Sequence, residues 1–351
     1  MRRSLHKRSL ISIGSRNDDN AFFTMHRSLQ YAILLQLDED ASAREAIFLE
    51  TLRTLRLFTP KPSPKQIPNL ELVPQFEVVI AHIISFCKKF VNSIPPMKGS
   101  LEFAELLYAG GFFLWERQVP STEASVLVLG TALKVLDDID YPADGRLRAD
   151  LLTILALCSD RLGPAKYTDG LAMRKQARQI RIAIKDKEMR EDNLTDTTDR
   201  LLYNSINDQG VSELHLNRFH EAERLFEDCF RKYKTWGSES AIPFEYSKYY
   251  HNMGIVKMCQ GLFPQAVEFE KRSVELSLQH EGKRTSRVAW FQYDYACTIL
   301  QAGDTQGALD SHMQILTERE SMSGKHSEAT LQSYYTVGAM YHHLGNLEEA
   351  E

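Results

Sequence analysis

The chain has 351 residues, 43% hydrophobic and 25% charged, with a formal net charge of -5. That make-up belongs to a folded protein long enough for one large helical array or two domains. A mild, dispersed acidity excludes nucleic acid as the main partner, because phosphate contact needs clustered Lys and Arg. The five cysteines (Cys87, Cys158, Cys229, Cys259 and Cys297) are odd in number and form no C-x-x-C pair. They read as buried, reduced thiols rather than a disulfide framework or a zinc site.

In chain order, residues 1–60 stand apart. The opening MRRSLHKRSLISIGSR has no acid before Asp18, as in a mitochondrial presequence. The preferred reading makes it the tail of an internal helix and the protein cytoplasmic. A polar turn from Gly14 to Asn20 precedes AFFTMHRSLQYAILLQL, which predicts a short strand entering a helix. Asp38 to Ala41 then turns the chain into a helix over Ala43 to Phe58. The proline-rich TPKPSPKQIP is a linker, and residues 61–99 comprise it and one further helix. The longest apolar run, Val78 to Val91, is broken by His82, Lys88 and Lys89 and is too short to span a membrane.

From about residue 100 the chain repeats. A small residue recurs at Gly210, Gly254, Ala296 and Gly338, at intervals of 44, 42 and 42 residues. Seven residues after each stands Asn217, Gly261, Gly303 or Gly345, and five later Ala222, Ala266, Ala308 or Ala350. The first small residue lets a second helix come close. Gly or Asn at the second landmark takes a positive φ that ends the first helix. The alanine faces back across the hairpin. No copy can bury its apolar side alone, so copies must stack. Weaker copies lie in residues 100–200. There Gly110 pairs with Ala124, and Ala156 and Gly163 keep the seven-residue step, with Ala172 four residues late. The run KDKEMREDNLTDTTDR reads as a solvated helix end and loop. Residues 201–351 hold the clear copies. The last is cut just inside its second helix, so a fragment is expected.

These landmarks, in NDQGVSELHLNRFHEAERLF, HNMGIVKMCQGLFPQAVEFE and YTVGAMYHHLGNLEEAE, resemble the tetratricopeptide repeat. Their long period is similar to that of kinesin light chain. The resemblance implies an all-α, helical-hairpin solenoid. At the N-terminus, Lys7-Arg8-Ser9-Leu10-Ile11 and Phe23-Thr24-Met25-His26-Arg27-Ser28-Leu29-Gln30, with the linker and repeats that follow, resemble the C-terminal part of fungal STAND-type NTPases with an NB-ARC module. That resemblance implies a small winged-helix-like remnant over residues 1–60, in front of a sensor or scaffold arm. It also implies that the histidine at His26 reaches a bound nucleotide, yet no P-loop precedes it. Gly282-Lys283-Arg284-Thr285 lacks the upstream glycine and follows a helix. The alternative is a free-standing cargo or assembly adaptor similar to kinesin light chain.

No constellation for catalysis or metal binding appears: there is no H-E-x-x-H, no G-x-S-x-G, and His342-His343 are neighbours that point apart on a helix. No enzyme, cofactor, metal or small-molecule substrate is expected, and no nucleic acid or membrane. The expected partner is a protein or peptide in the groove lined by the first helix of each hairpin. Positions six, three and two before each small residue share one helical face. They are Asn204, Asn207 and Asp208; Lys248, His251 and Asn252; Trp290, Tyr293 and Asp294; and Gln332, Tyr335 and Thr336. Asn offers bonds to a peptide backbone, Lys to a carboxylate, and Trp and Tyr rigid contact area. Lys248 with Asn252 resembles one element of a carboxylate clamp, without the further basic residues such a clamp requires.

Overall fold

The computed structural model describes residues 11–15, 21–25, 32–33, 35–37, 39–66, 72–117, 122–282 and 285–351. His26 and the basic residues 1–10 lie outside them. An antiparallel hairpin of β1 (Ile11–Ser15) and β2 (Ala21–Met25) pairs Ile11 with Met25 and Ser15 with Ala21. The short strand over AFFTM is therefore present, whereas Ile11, read as part of a helix end, starts a strand. Every other regular element described is helical. A winged-helix arrangement is not shown by these elements.

The chain forms two compact units, one of residues 1–61, 69–111 and 127–141, the other of residues 62–68, 112–126 and 142–351. In the first unit, α1 (Ala41–Phe58) starts where the Asp40 side chain accepts the Ala43 N–H. That bond satisfies one of the orphan donors of a helix start. α2 (Val73–Val91) buries Phe76, Val79, Ile83 and Cys87, a three- and four-residue spacing that defines one apolar stripe. Phe48, Phe86, Phe90 and Phe103 cluster with ring centroids 4.7 to 5.8 Å apart. α3 (Leu101–Arg117) and α4 (Thr122–Asp138) follow. Gly110, expected to admit the next helix, lies instead against Ile83 of α2; Gly111 is the residue that receives Leu129 of α4.

The second unit is a stack of helical hairpins. α5 (Arg146–Arg161) and α6 (Tyr167–Arg190) form the first complete pair. α7 (Asp196–His215) pairs with α8 (Phe219–Trp236), α9 (Pro243–Cys259) with α10 (Phe263–Glu281), and α11 (Ser286–Gln301) with α12 (Thr305–Ser323). α13 (Glu328–His343) and the short α14 (Leu347–Ala350) end the described chain. Each helix packs chiefly on its neighbours in sequence, as in a solenoid.

The landmarks fall where their chemistry requires. Asn217, Gly261, Gly303 and Gly345 follow the first helices with φ of +60°, +76°, +98° and +82°. Ala222, Ala266, Ala308 and Ala296 are fully buried, whereas Ala350, at the end of the chain, is half-buried. In the earlier pair Gly163 also has positive φ, but the 3-10 turn Pro164–Lys166 lengthens the connection. Ala172 therefore falls on an exposed face, and Gly170 takes the close approach: a Cβ added there would lie 3.4 Å from the Ala156 carbonyl oxygen. Nothing within 4 Å would obstruct a Cβ at Gly303, so Gly303→Ala is expected to cost only the left-handed backbone penalty, about 1 kcal/mol. A thermal melt should show a drop of about 3 °C.

The mixed-charge run after residue 185 is a largely exposed helix end and loop up to Asp196, but Thr198 and Asp199 at its close are buried. α6 continues to Arg190, and the Thr195 side chain caps α7 by accepting the Thr198 N–H. Asp199 is buried, accepts from Lys185 at 2.6 Å and Trp236 at 3.1 Å, and pairs with Lys232 at 2.8 Å. Gln66 is held as well: it donates to Asp150 at 3.1 Å, and Arg181 reaches both. The cysteines divide, with Cys87, Cys158 and Cys229 buried, Cys297 half-buried and Cys259 exposed.

Candidate functional site

The second unit carries a groove of about 810 Å³. The four residues six before the landmarks, Asn204, Lys248, Trp290 and Gln332, all line it, one from each first helix. The exposure of this row is uneven: Gln332 is exposed and Trp290 is 47% exposed, whereas Asn204 and Lys248 are half-buried. Lys248 donates to Asn204 at 2.7 Å, with its ammonium 4.7 Å from the centre of the Phe244 ring. Burial lowers the Lys248 pKa, and Asp208 and Glu245 oppose that.

The positions three and two before the landmarks behave differently. They bond between repeats. Asn252 donates to Asn207 at 2.9 Å, His251 Nε2 lies 3.6 Å from Asp294 Oδ2, and the Tyr293 and Thr336 hydroxyls are 2.7 Å apart. Each link joins position minus three of one copy to minus two of the next, so the row is a ladder of side chains between successive first helices. Asn207, Asp208, His251 and Asn252 still border the groove, but Asn207, His251 and Asn252 are buried. Tyr293, Asp294, Tyr335 and Thr336 are not part of its lining, and Tyr335 is 79% exposed. One helical face in the sequence thus becomes two rows, one that lines the groove in all four copies and one whose side chains bond across each junction.

Arg287 is a groove residue that sequence reasoning missed. Its guanidinium lies 4.2 Å from the centre of the Phe244 ring and 5.4 Å from that of Phe291, and it pairs with Glu281. Burial lowers its pKa to about 9, against the pull of Glu245, so it stays cationic at neutral pH. The signal was available, since Arg287 precedes Trp290 by one helical turn. Trp115, Arg161 and Tyr167 also line the groove, from the weak copies. Arg161 donates to the Trp115 carbonyl at 2.8 Å and lies over its ring at 5.6 Å.

Nothing described here activates a nucleophile. The nearest approach is Cys297 Sγ at 3.8 Å from His312 Nε2, but burial pushes the thiol up to about 11 and the imidazole down to about 4. A neutral thiol beside a neutral imidazole lacks the thiolate such chemistry needs. Gly282 caps α10 and Thr285 caps α11, so Gly282-Lys283-Arg284-Thr285 follows a helix and not the strand a P-loop needs; Lys283 and Arg284 lie outside the described residues. Among the described residues no group of His, Cys, Asp and Glu could hold a metal, and no helix is long and apolar enough to cross a membrane.

No family model and no curated protein matches the chain. Among solved structures, the apo form of RapI is 15% identical, covers 77% of this chain and 87% of its own, and has a TM-score of 0.50. A putative kinesin light chain from Podosopora anserina with nearly identical TPR-like repeats is 16% identical over 60% of this chain and 92% of its own, with a TM-score of 0.42. A STAND protein with a tetratricopeptide repeat sensor, from Pyrococcus horikoshii, is 12% identical over 99% of this chain and 57% of its own, with a TM-score of 0.44. Likeness at this level concerns the fold. With the hairpins turning at Asn217, Gly261, Gly303 and Gly345 in constant register, that fold is an all-α, tetratricopeptide-type helical-repeat array.

Proposed function

We propose that this protein is an interaction module whose groove binds an extended peptide segment of a partner protein. The carrying observation is the row of Asn204, Lys248, Trp290 and Gln332, which lines a groove of about 810 Å³ from all four first helices and leaves Trp290 and Gln332 exposed beside the Lys248–Asn204 bond. That volume lies within the range of specific ligand clefts, about 300–1,000 Å³. The row mixes a hydrogen-bonding amide, a cation and an exposed indole, the side-chain types that anchor peptides. The test is a selection from a displayed peptide library on the immobilised chain. Trp290→Ala is expected to weaken the selected peptides at least about tenfold, as a central aromatic anchor does, with the far-UV spectrum unchanged. Equal affinities for wild type and variant would remove the groove as the binding surface. Asn252 and Tyr293 are poorer probes, because truncating either breaks the ladder.

The order of the N-terminal segment, linker and array supports the further reading that the module is the sensor or scaffold arm of a signalling NTPase. A transcript with an in-frame P-loop upstream of residue 1 is the expected finding. A transcript whose upstream frame encodes a heptad coiled coil instead would favour the adaptor.

A further inference from the structure

His251 sits at a junction that peptide binding does not explain. It lies on α9, is almost fully buried, and its ring stacks on Phe291 of α11 with centroids 4.1 Å apart. Nδ1 lies 3.0 Å from Oε2 of Glu270 on α10, and Nε2 lies 3.6 Å from Oδ2 of Asp294 on α11. One imidazole therefore stands between two carboxylates, one from its own repeat and one from the next. A neutral imidazole carries a single N–H and can serve only one of them; the imidazolium carries two and serves both. Glu270 is fully buried, and its second oxygen, Oε1, has no hydrogen-bond partner. The Glu270 carboxyl is closed to solvent, so a proton donor lost there is not replaced by water.

We propose that His251, Glu270 and Asp294 form a proton-dependent clip between the second and third repeats, closed while His251 is protonated and slack once it is not. The proposal does not depend on the peptide-binding reading. The charged groups around His251 are Glu270 from α10, and Asp294 and Arg287 from α11. Burial alone would depress the imidazole; the two carboxylates outweigh it and hold its pKa above the ordinary histidine range, with Arg287 acting against them. A histidine raised on folding contributes stability that is complete below its unfolded pKa, about 6.5, and is lost as the pH rises through the folded value. The clip thus opens on the alkaline side of neutrality. Slackening moves α11 against α9, and with it the groove wall that holds Asn252, Trp290 and Phe291.

The test uses the full chain, with histidine-selective NMR and thermal melts from about pH 6 to about pH 9. The His251 ring resonances are expected to titrate above the ordinary histidine value, about 6.5. The melting temperature of the wild type should fall by about 3 °C across the range, and that of His251→Gln should stay nearly level. Asp294→Asn, which keeps the pair with Glu270 and removes only the negative charge that the next repeat presents to the imidazole, should flatten the profile in part and covers the case that His251→Gln fails to fold. A His251 that titrates at or below about 6.5, the ordinary histidine value, or melting profiles that run parallel in wild type and Asp294→Asn, would overturn the clip.

Discussion

Arg174→Ala is expected to lower the stability by about 3–5 kcal/mol, the cost of removing one partner from a buried ion pair. Arg174 on α6 is 1% exposed. It holds Asp160 at the end of α5 through both guanidinium nitrogens, one at 3.2 Å, and also donates to Ser212 of α7. One side chain thereby ties three successive helices. Without it, Asp160 keeps its burial but loses its arginine counter-charge, leaving only the His215 ring at 3.4 Å. The loss should appear as a shift of the urea midpoint without a change of slope. It carries a pH signature. Burial pushes the Asp160 carboxyl up, but His215 and Arg174 outweigh it and hold it below the usual carboxylate range. A depressed carboxylate stabilises above its unfolded pKa, and that stability disappears as the pH falls through the folded value. The gap between wild type and Arg174→Ala should therefore be widest at neutral pH and should close in acid. A gap independent of pH would show that the guanidinium acts through packing and not through its charge.

Gly210→Val is the second large effect. An added Cβ at Gly210 would lie 2.5, 2.9 and 3.0 Å from three carbons of the Phe226 ring. Phe226 is fully buried, so the ring cannot move into solvent. The expected cost is about 1–3 kcal/mol from overpacking, seen as a melting temperature lower by several degrees. Gly303→Ala loses less because it meets no atom. The two glycines do different work: one clears space between helices and the other supplies a backbone angle. The shorter Phe226→Leu placed on top of Gly210→Val should recover part of the loss. Failure to recover any would place the strain elsewhere than against the ring.

The register of the array was legible in the sequence because it is written in local chemistry. A positive φ after a first helix and a buried alanine in the second depend on a few adjacent residues. Asn217, Gly261 and Gly303 therefore announce the hairpins directly. Wherever the connection changed length, reading failed: the 3-10 turn after Gly163 moved the close approach from Ala172 to Gly170. In the first unit Gly110 serves the preceding helix rather than the following one, because two adjacent glycines have two different neighbours. The division of the groove face was not legible. Whether Asn252 meets a ligand or Asn207 depends on the rotation between α7 and α9, which no single helix records. Composition likewise placed Asp199 in solvent, although residues distant in sequence, Lys185 and Lys232, draw it inward. Arg287 was overlooked because the landmarks were followed for three positions and not one turn further.

The side-chain rungs between first helices also bear on how such a protein can change over generations. Each pairing is chemically distinct: amide with amide at Asn207 and Asn252, imidazole with carboxylate at His251 and Asp294, phenol with alcohol at Tyr293 and Thr336. The copies are therefore not interchangeable modules, even though their backbones are alike. Excision of the third copy by recombination would set His251 against Thr336 and strand the imidazole without its second carboxylate. Neighbouring copies are keyed to one another in order, so this array is constrained to evolve by paired substitutions across a junction more readily than by shuffling whole units.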